Sequence, residues 1–147
     1  MTHLVKSLLN RNLLTLMACT GAFAPQALMA NEARCPLGNA TLHGTYMSHG
    51  SGTIVNVGPA VAVGLIRYDG NGNLVNPFTL SVDGHIESTT AYGTYIVNSD
   101  CTGTAHQTGG NFNFVVDPDG SKLFWIEIDP GTVLSGSAFR FGHADID

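Results

Sequence analysis

The chain has 147 residues, 44% of them hydrophobic and 12% charged, which allows one domain with a removable leader. Its formal net charge is −5, and the few Lys and Arg are scattered singly. That balance argues against a nucleic-acid partner and against an anionic membrane surface.

Residues 1–30 read as a signal peptide. Lys6 and Arg11 form a positive flank free of acidic residues, residues 13–24 are an apolar run, and Pro25 breaks any helix there. The run is too short to span a bilayer. Ala30 is a small residue suited to signal peptidase, so the mature chain is expected to start at Asn31. A competing reading takes Leu16-Met17-Ala18-Cys19 as a lipobox, which would make Cys19 a lipidated N-terminus. Either way the protein is exported, to the periplasm or the medium. Loss of the leader drops the basic residues from 6 to 4 against 11 acidic ones, for a mature net charge of −7. Cys35 and Cys101 then remain as an even pair and read as one disulfide. Closing their loop of 66 residues is worth up to about 4 kcal/mol in chain entropy.

Residues 31–40 look like an irregular lead-in held down by Cys35. Turn signals then punctuate the chain at Asp69-Gly70-Asn71-Gly72, Asp83-Gly84, Asn98-Ser99-Asp100, Gly109-Gly110, Asp117-Pro118-Asp119-Gly120 and Asp129-Pro130-Gly131. Asp-Gly and Asn-Gly pairs suit the positive-φ positions of tight hairpins. The β-prone runs between them cover about 41–49, 52–57, 60–68, 74–82, 85–90, 91–98, 101–107, 111–117, 122–128 and 132–141. Some of these are continuous, leaving about eight or nine strands.

Within the runs the period is two, as in half-buried strands. Phe78, Leu80 and Val82 share one face, as do Phe112, Phe114 and Val116. Phe124, Ile126 and Ile128 form a third such triplet, set against Lys122, Trp125 and Glu127. These nine apolar residues are the expected walls of a ligand cavity. Residues 60–66 are apolar on both faces, so a terminal segment or an interface is expected to cover the outer one. Gly44, Gly64, Gly93, Gly103 and Gly136 fall inside strand patterns and mark bends. Closure is the economical way to remove the exposed edges of so many strands. The expected fold is all-β, a small antiparallel meander barrel in residues 31–147, with a β-sandwich as the alternative. An outer-membrane barrel needs longer strands, an apolar lipid face and aromatic girdles, so no stable membrane insertion is expected.

Certain segments carry a resemblance: Leu42-x-Gly44-Thr45-Tyr46, residues 68–72, Gly93-Thr94-Tyr95, Asp100-Cys101-Thr102-Gly103-Thr104 and Ser135-Gly136. Together they resemble small exported, mostly uncharacterised bacterial β-barrel proteins. The repeated Gly-Thr-Tyr and the Asp-Cys-Thr-Gly-Thr element are the specific parts. The glycine-rich pattern is more faintly similar to allene oxide cyclase and dirigent proteins, whose eight-stranded barrels hold an apolar ligand. The resemblance implies fold and export; no catalytic residue carries over.

Chemistry-bearing motifs are sparse. His43, His49, His85, His106 and His143 show no spacing of two or four residues, and no metal or cofactor is expected. Asp69-Gly70-Asn71-Gly72-Asn73 opens like a calcium loop, but Leu74 and Leu80 stand where Gly and Glu are needed. His49-Gly50-Ser51-Gly52 lacks the nucleophile elbow a hydrolase would require. Tyr46, Tyr95, Arg67, Glu127 and Arg140 could each place a polar group on a barrel wall. The leading expectation is a barrel that binds a small apolar molecule such as a fatty acid or terpenoid. The alternatives are a cofactor-independent isomerase or cyclase using the same cavity, and a structural or surface protein with a packed barrel.

Overall fold

The computed structural model describes residues 34–142. The signal-peptide reading of residues 1–30, the cleavage after Ala30, the lipobox at Cys19 and the terminal His143 all lie outside the described residues.

A single 3-10 turn (Gly38–Thr41) leads into eight strands: β1 (His43–Ile54), β2 (Gly58–Asp69), β3 (Asn73–Val82), β4 (His85–Val97), β5 (Thr102–Gln107), β6 (Gly110–Val116), β7 (Lys122–Glu127) and β8 (Thr132–Arg140). Each pairs antiparallel with the next, and β8 returns to β1 from Tyr46↔Arg140 to Ile54↔Thr132. The result is a closed meander barrel. The count settles at eight because the expected runs 41–49 and 52–57 join through Gly50 and Gly52 into the single strand β1, and 85–90 and 91–98 likewise join into β4. Asp83 (φ 49°) and Gly84 (φ 86°) turn β3 into β4 with the paired positive φ of a tight hairpin.

Up-and-down order puts the β1–β2, β3–β4, β5–β6 and β7–β8 turns at one end. The lead-in and the other turns gather at the opposite end, where the core is densest. Tyr46, Tyr95, Leu42, Leu123 and Cys35 are fully buried there. Tyr68 meets Tyr46 and Tyr95 edge-on, with ring centroids 5.2 and 4.9 Å away. The Tyr46 hydroxyl donates to the Gly120 carbonyl (2.6 Å) and accepts from Arg140 Nε and Nη2, each at 3.2 Å. The Tyr95 hydroxyl faces the Asn39 and Leu42 carbonyls at 2.9 and 2.8 Å. Asn39 Oδ1 in turn accepts the Val97 N–H (2.8 Å), so the lead-in is laced to β4. A disulfide joins Cys35 to Cys101 in the β4–β5 turn. These bonds make the lead-in a plug across one end of the barrel.

The run at residues 60–66 divides by parity: Ala60 and Ile66 are buried, whereas Val61, Val63 and Leu65 are exposed on the outer wall. No described segment covers them. One barrel edge is also open locally. β5 stops at Gln107, opposite Gly93, so His85–Ala91 pairs with β3 alone and overhangs the barrel rim.

Candidate functional site

Directly paired antiparallel residues share a face, so the register dictates which side chains enter the barrel. Val116↔Leu123, Phe114↔Trp125 and Phe112↔Glu127 pair β6 with β7, and Trp125↔Gly136 continues the inner face onto β8. Above the tyrosine layer these inward residues enclose a cavity of about 190 Å³. Its floor is Tyr68, Ile66, Ala105 and Leu123. Phe78, Leu80, Phe112, Phe114 and Trp125 form much of its wall, and it reaches the turn residues Thr108 and Gly109 at the open end.

The sequence-derived triplets divide accordingly. Phe78, Leu80, Phe112 and Phe114 line the cavity. Val82 lies on the same inner face at the rim, paired with Ala60. Val116 is buried beside Leu123 in the dense end, below the cavity. The third triplet is a correction. Phe124, Ile126 and Ile128 lie on the outer surface, 51%, 52% and 48% exposed, while Leu123, Trp125 and Glu127 point inward. Both parities of β7 are mostly apolar, so alternation alone left its orientation open. Pairing with the inward Phe112 and Phe114 decides it. Lys122 belongs to the outer set, its ammonium 5.5 Å from the Phe124 ring.

Gly44 takes a positive φ of 99° with open space around it, but Gly50, Gly103 and Gly136 make room rather than bends. A Cβ at Gly50 or Gly136 would collide with the Trp125 indole, and one at Gly103 with the Phe114 ring. Phe112 then meets Trp125 edge-on at 5.4 Å. The cavity persists because three large rings lie back against glycine backbone.

Besides Tyr68 in the floor and Thr108 at the open end, the polar residues of the lining are Ser48, Asn76, Gln107 and Glu127. Asn76 is 9% exposed; its Nδ2 lies 3.4 Å from Gln107 Oε1, and its Oδ1 has no partner. Asn76 on β3 and Gln107 on β5 meet because Ala91 and Gly93, their register partners on β4, are small. The buried Trp125 Nε1 is also unpartnered. Glu127 is the one charged residue of the lining, and its carboxyl is pushed up by burial, then by neighbouring Asp129, with a hydrogen bond from Thr132 opposing. Burial also pushes the Tyr68 phenol well above its ordinary range, so it stays neutral.

Of the other polar candidates, Tyr46, Tyr95 and Arg140 are committed to the plugged end, and Arg67 points outward. His43, His49, His85 and His106 are exposed, with His106 Nδ1 2.7 Å from Asn111 Oδ1. Among the described residues no three His, Cys, Asp or Glu side chains come together to hold a metal ion. Asp69 caps its own turn, its carboxylate accepting from the Asn71 and Asn73 amides. Sequence reasoning missed Tyr68, Asn76, Gln107 and the inward Trp125. The signal for Trp125 was the pair of strand glycines at 50 and 136, which no turn requires. Comparison with protein-family models, with curated proteins and with solved structures finds no match.

Proposed function

We propose that this protein is an exported barrel that binds a small, largely apolar molecule in its interior. The cavity of about 190 Å³, walled by phenylalanines, Leu80 and Trp125, is the observation that carries the reading. An apolar cavity of about 150 Å³ suffices for a benzene-sized guest, so one ring with a short substituent fits better than a long acyl chain. Burial contributes roughly 25 cal/mol per Å² of apolar surface before the costs of association. A packed structural barrel is disfavoured, since the interior above the tyrosine layer is not filled.

The test is titration of an environment-sensitive apolar dye, repeated with Ala62→Leu, which fills the wall facing the cavity. Saturable binding that weakens in the variant supports the reading. Absence of binding in both folded proteins defeats it. Glu127 favours a second reading, a cofactor-independent isomerase or cyclase in which this carboxyl moves a proton at the cavity mouth.

A further inference from the structure

Acidic residues stand at both ends of this barrel, Asp69, Asp100, Asp117 and Asp119 at the plugged one, but the basic residues that would balance them are sorted to one end. Arg67, Lys122 and Arg140 all belong to the plugged half, as does Arg34 next to the disulfide. The open end holds Asp83, Glu87, Glu127 and Asp129, with no Lys or Arg among the described residues there. Glu127 lines the cavity itself, and Glu87 pairs with the wall residue Leu80 across β3–β4. Such a mouth attracts cations and repels anions.

The lining adds a second, independent preference. Asn76 holds a buried acceptor oxygen with no donor, a costly state that a ligand N–H would relieve. The acceptors form an arc. Asn76 touches Gln107, Gln107 pairs with Gly110, and a Cβ at Gly110 would sit 3.5 Å from the Glu127 carboxyl carbon. Glycine at 110 keeps that stretch of wall open. Phe112, Trp125, Phe114 and Phe78 add aromatic rings, whose faces attract a positive charge. A carboxylate ligand would meet Glu127 with no cation to answer it. An alcohol could satisfy Asn76 but would leave Glu127 uncompensated.

Resting on the binding reading above, we infer that the ligand is a small apolar amine, its ring in the aromatic cavity and its ammonium held at the mouth by Glu127 and the Asn76–Gln107 amides. A fatty acid is the wrong charge and too large. The cation also relieves the penalty that burial and Asp129 place on the Glu127 carboxylate.

Four probes of one skeleton test this: cyclohexylmethylamine, cyclohexylmethanol, cyclohexanecarboxylate and methylcyclohexane, at neutral pH. The chain's single tryptophan is Trp125 in the cavity wall, so its emission reports occupancy, with calorimetry as a second readout. The amine should bind about tenfold more tightly than the alcohol, and the carboxylate weakest. Glu127→Gln should bring the amine to the level of the alcohol. Asp83→Asn, outside the cavity, should keep most of the preference. If the alcohol or the carboxylate binds as tightly as the amine, or Glu127→Gln leaves the preference intact, the amine assignment is overturned while the binding reading stands. If none of the four probes binds by either readout, both fall.

Discussion

The Trp125 indole lies so close over Gly50 that no side chain fits at position 50: a Cβ there would overlap Cη2 and Cζ2 of the ring. Gly136, the β8 register partner of both Gly50 and Trp125, does the same beside it, so two strands surrender side chains to seat one residue of a third. Gly50→Ala should therefore destabilise the barrel by about 1–3 kcal/mol through overpacking. Trp125→Leu in the same chain should recover part of that loss. Urea denaturation followed by circular dichroism checks both. Equal stability of Gly50→Ala and the parent would show that the ring is not seated there.

Tyr95 ties the lead-in to the barrel through its hydroxyl and the Asn39 and Leu42 carbonyls. Tyr95→Phe keeps the ring and its contact with Tyr68 but leaves buried carbonyls short of a donor. The expected cost is about 1–3 kcal/mol. Hydrogen exchange should quicken first at the Val97 amide, which Asn39 holds. Unchanged exchange there would separate the hydroxyl from the plug.

Cys35 and Cys101 should give no free thiol when the protein is unfolded without reductant. Because the bond closes a 66-residue loop, Cys35→Ala with Cys101→Ala should cost about 2–4 kcal/mol. Two reactive thiols in the parent would refute the pairing.

Acid should act in two opposite directions. Side-chain bonds from Asn73, Thr102 and Asn111 lead in holding Asp69, Asp100 and Asp129 below the usual carboxylate range, and the Ser121 backbone does so for Asp119. Depressed carboxyls stabilise the fold above their unfolded pKa of about 4, and that contribution fades as pH falls through the folded values. Glu127 has the reverse sign. Its raised carboxyl costs stability when charged at neutral pH, and the cost disappears as pH falls through its folded value toward about 4. Glu127→Gln should therefore melt slightly higher than the parent at pH 7, by under about 1 kcal/mol since the group is partly solvated. The two should converge near pH 3 while both lose stability to the aspartates. A Glu127→Gln protein less stable at pH 7 would mean the carboxylate makes a favourable bond here.

Much of the architecture was legible in the chain. Asp-Gly and Gly-Gly turns marked the hairpins, period-two runs marked the strands, and an even cysteine pair marked the staple that joins Cys35 to Cys101. These are local signals, set by φ preferences and by the alternation of side chains along a strand. What local pattern could not carry was the direction of a strand with two apolar faces. In β7, Leu123 and Trp125 compete with Phe124, Ile126 and Ile128 for the interior, and hydrophobicity favours neither. Only the register against β6, and the bare glycines at 136 and 50 on the next two strands, turn Trp125 inward. The polar arc of Asn76, Gln107 and Glu127 was hidden for the same reason. Its members sit on β3, β5 and β7, and they converge because the barrel closes and the intervening strands offer Ala91, Gly93 and Gly110. Sequence determined the strands and the staple; closure of the sheet decided which residues face one another inside it.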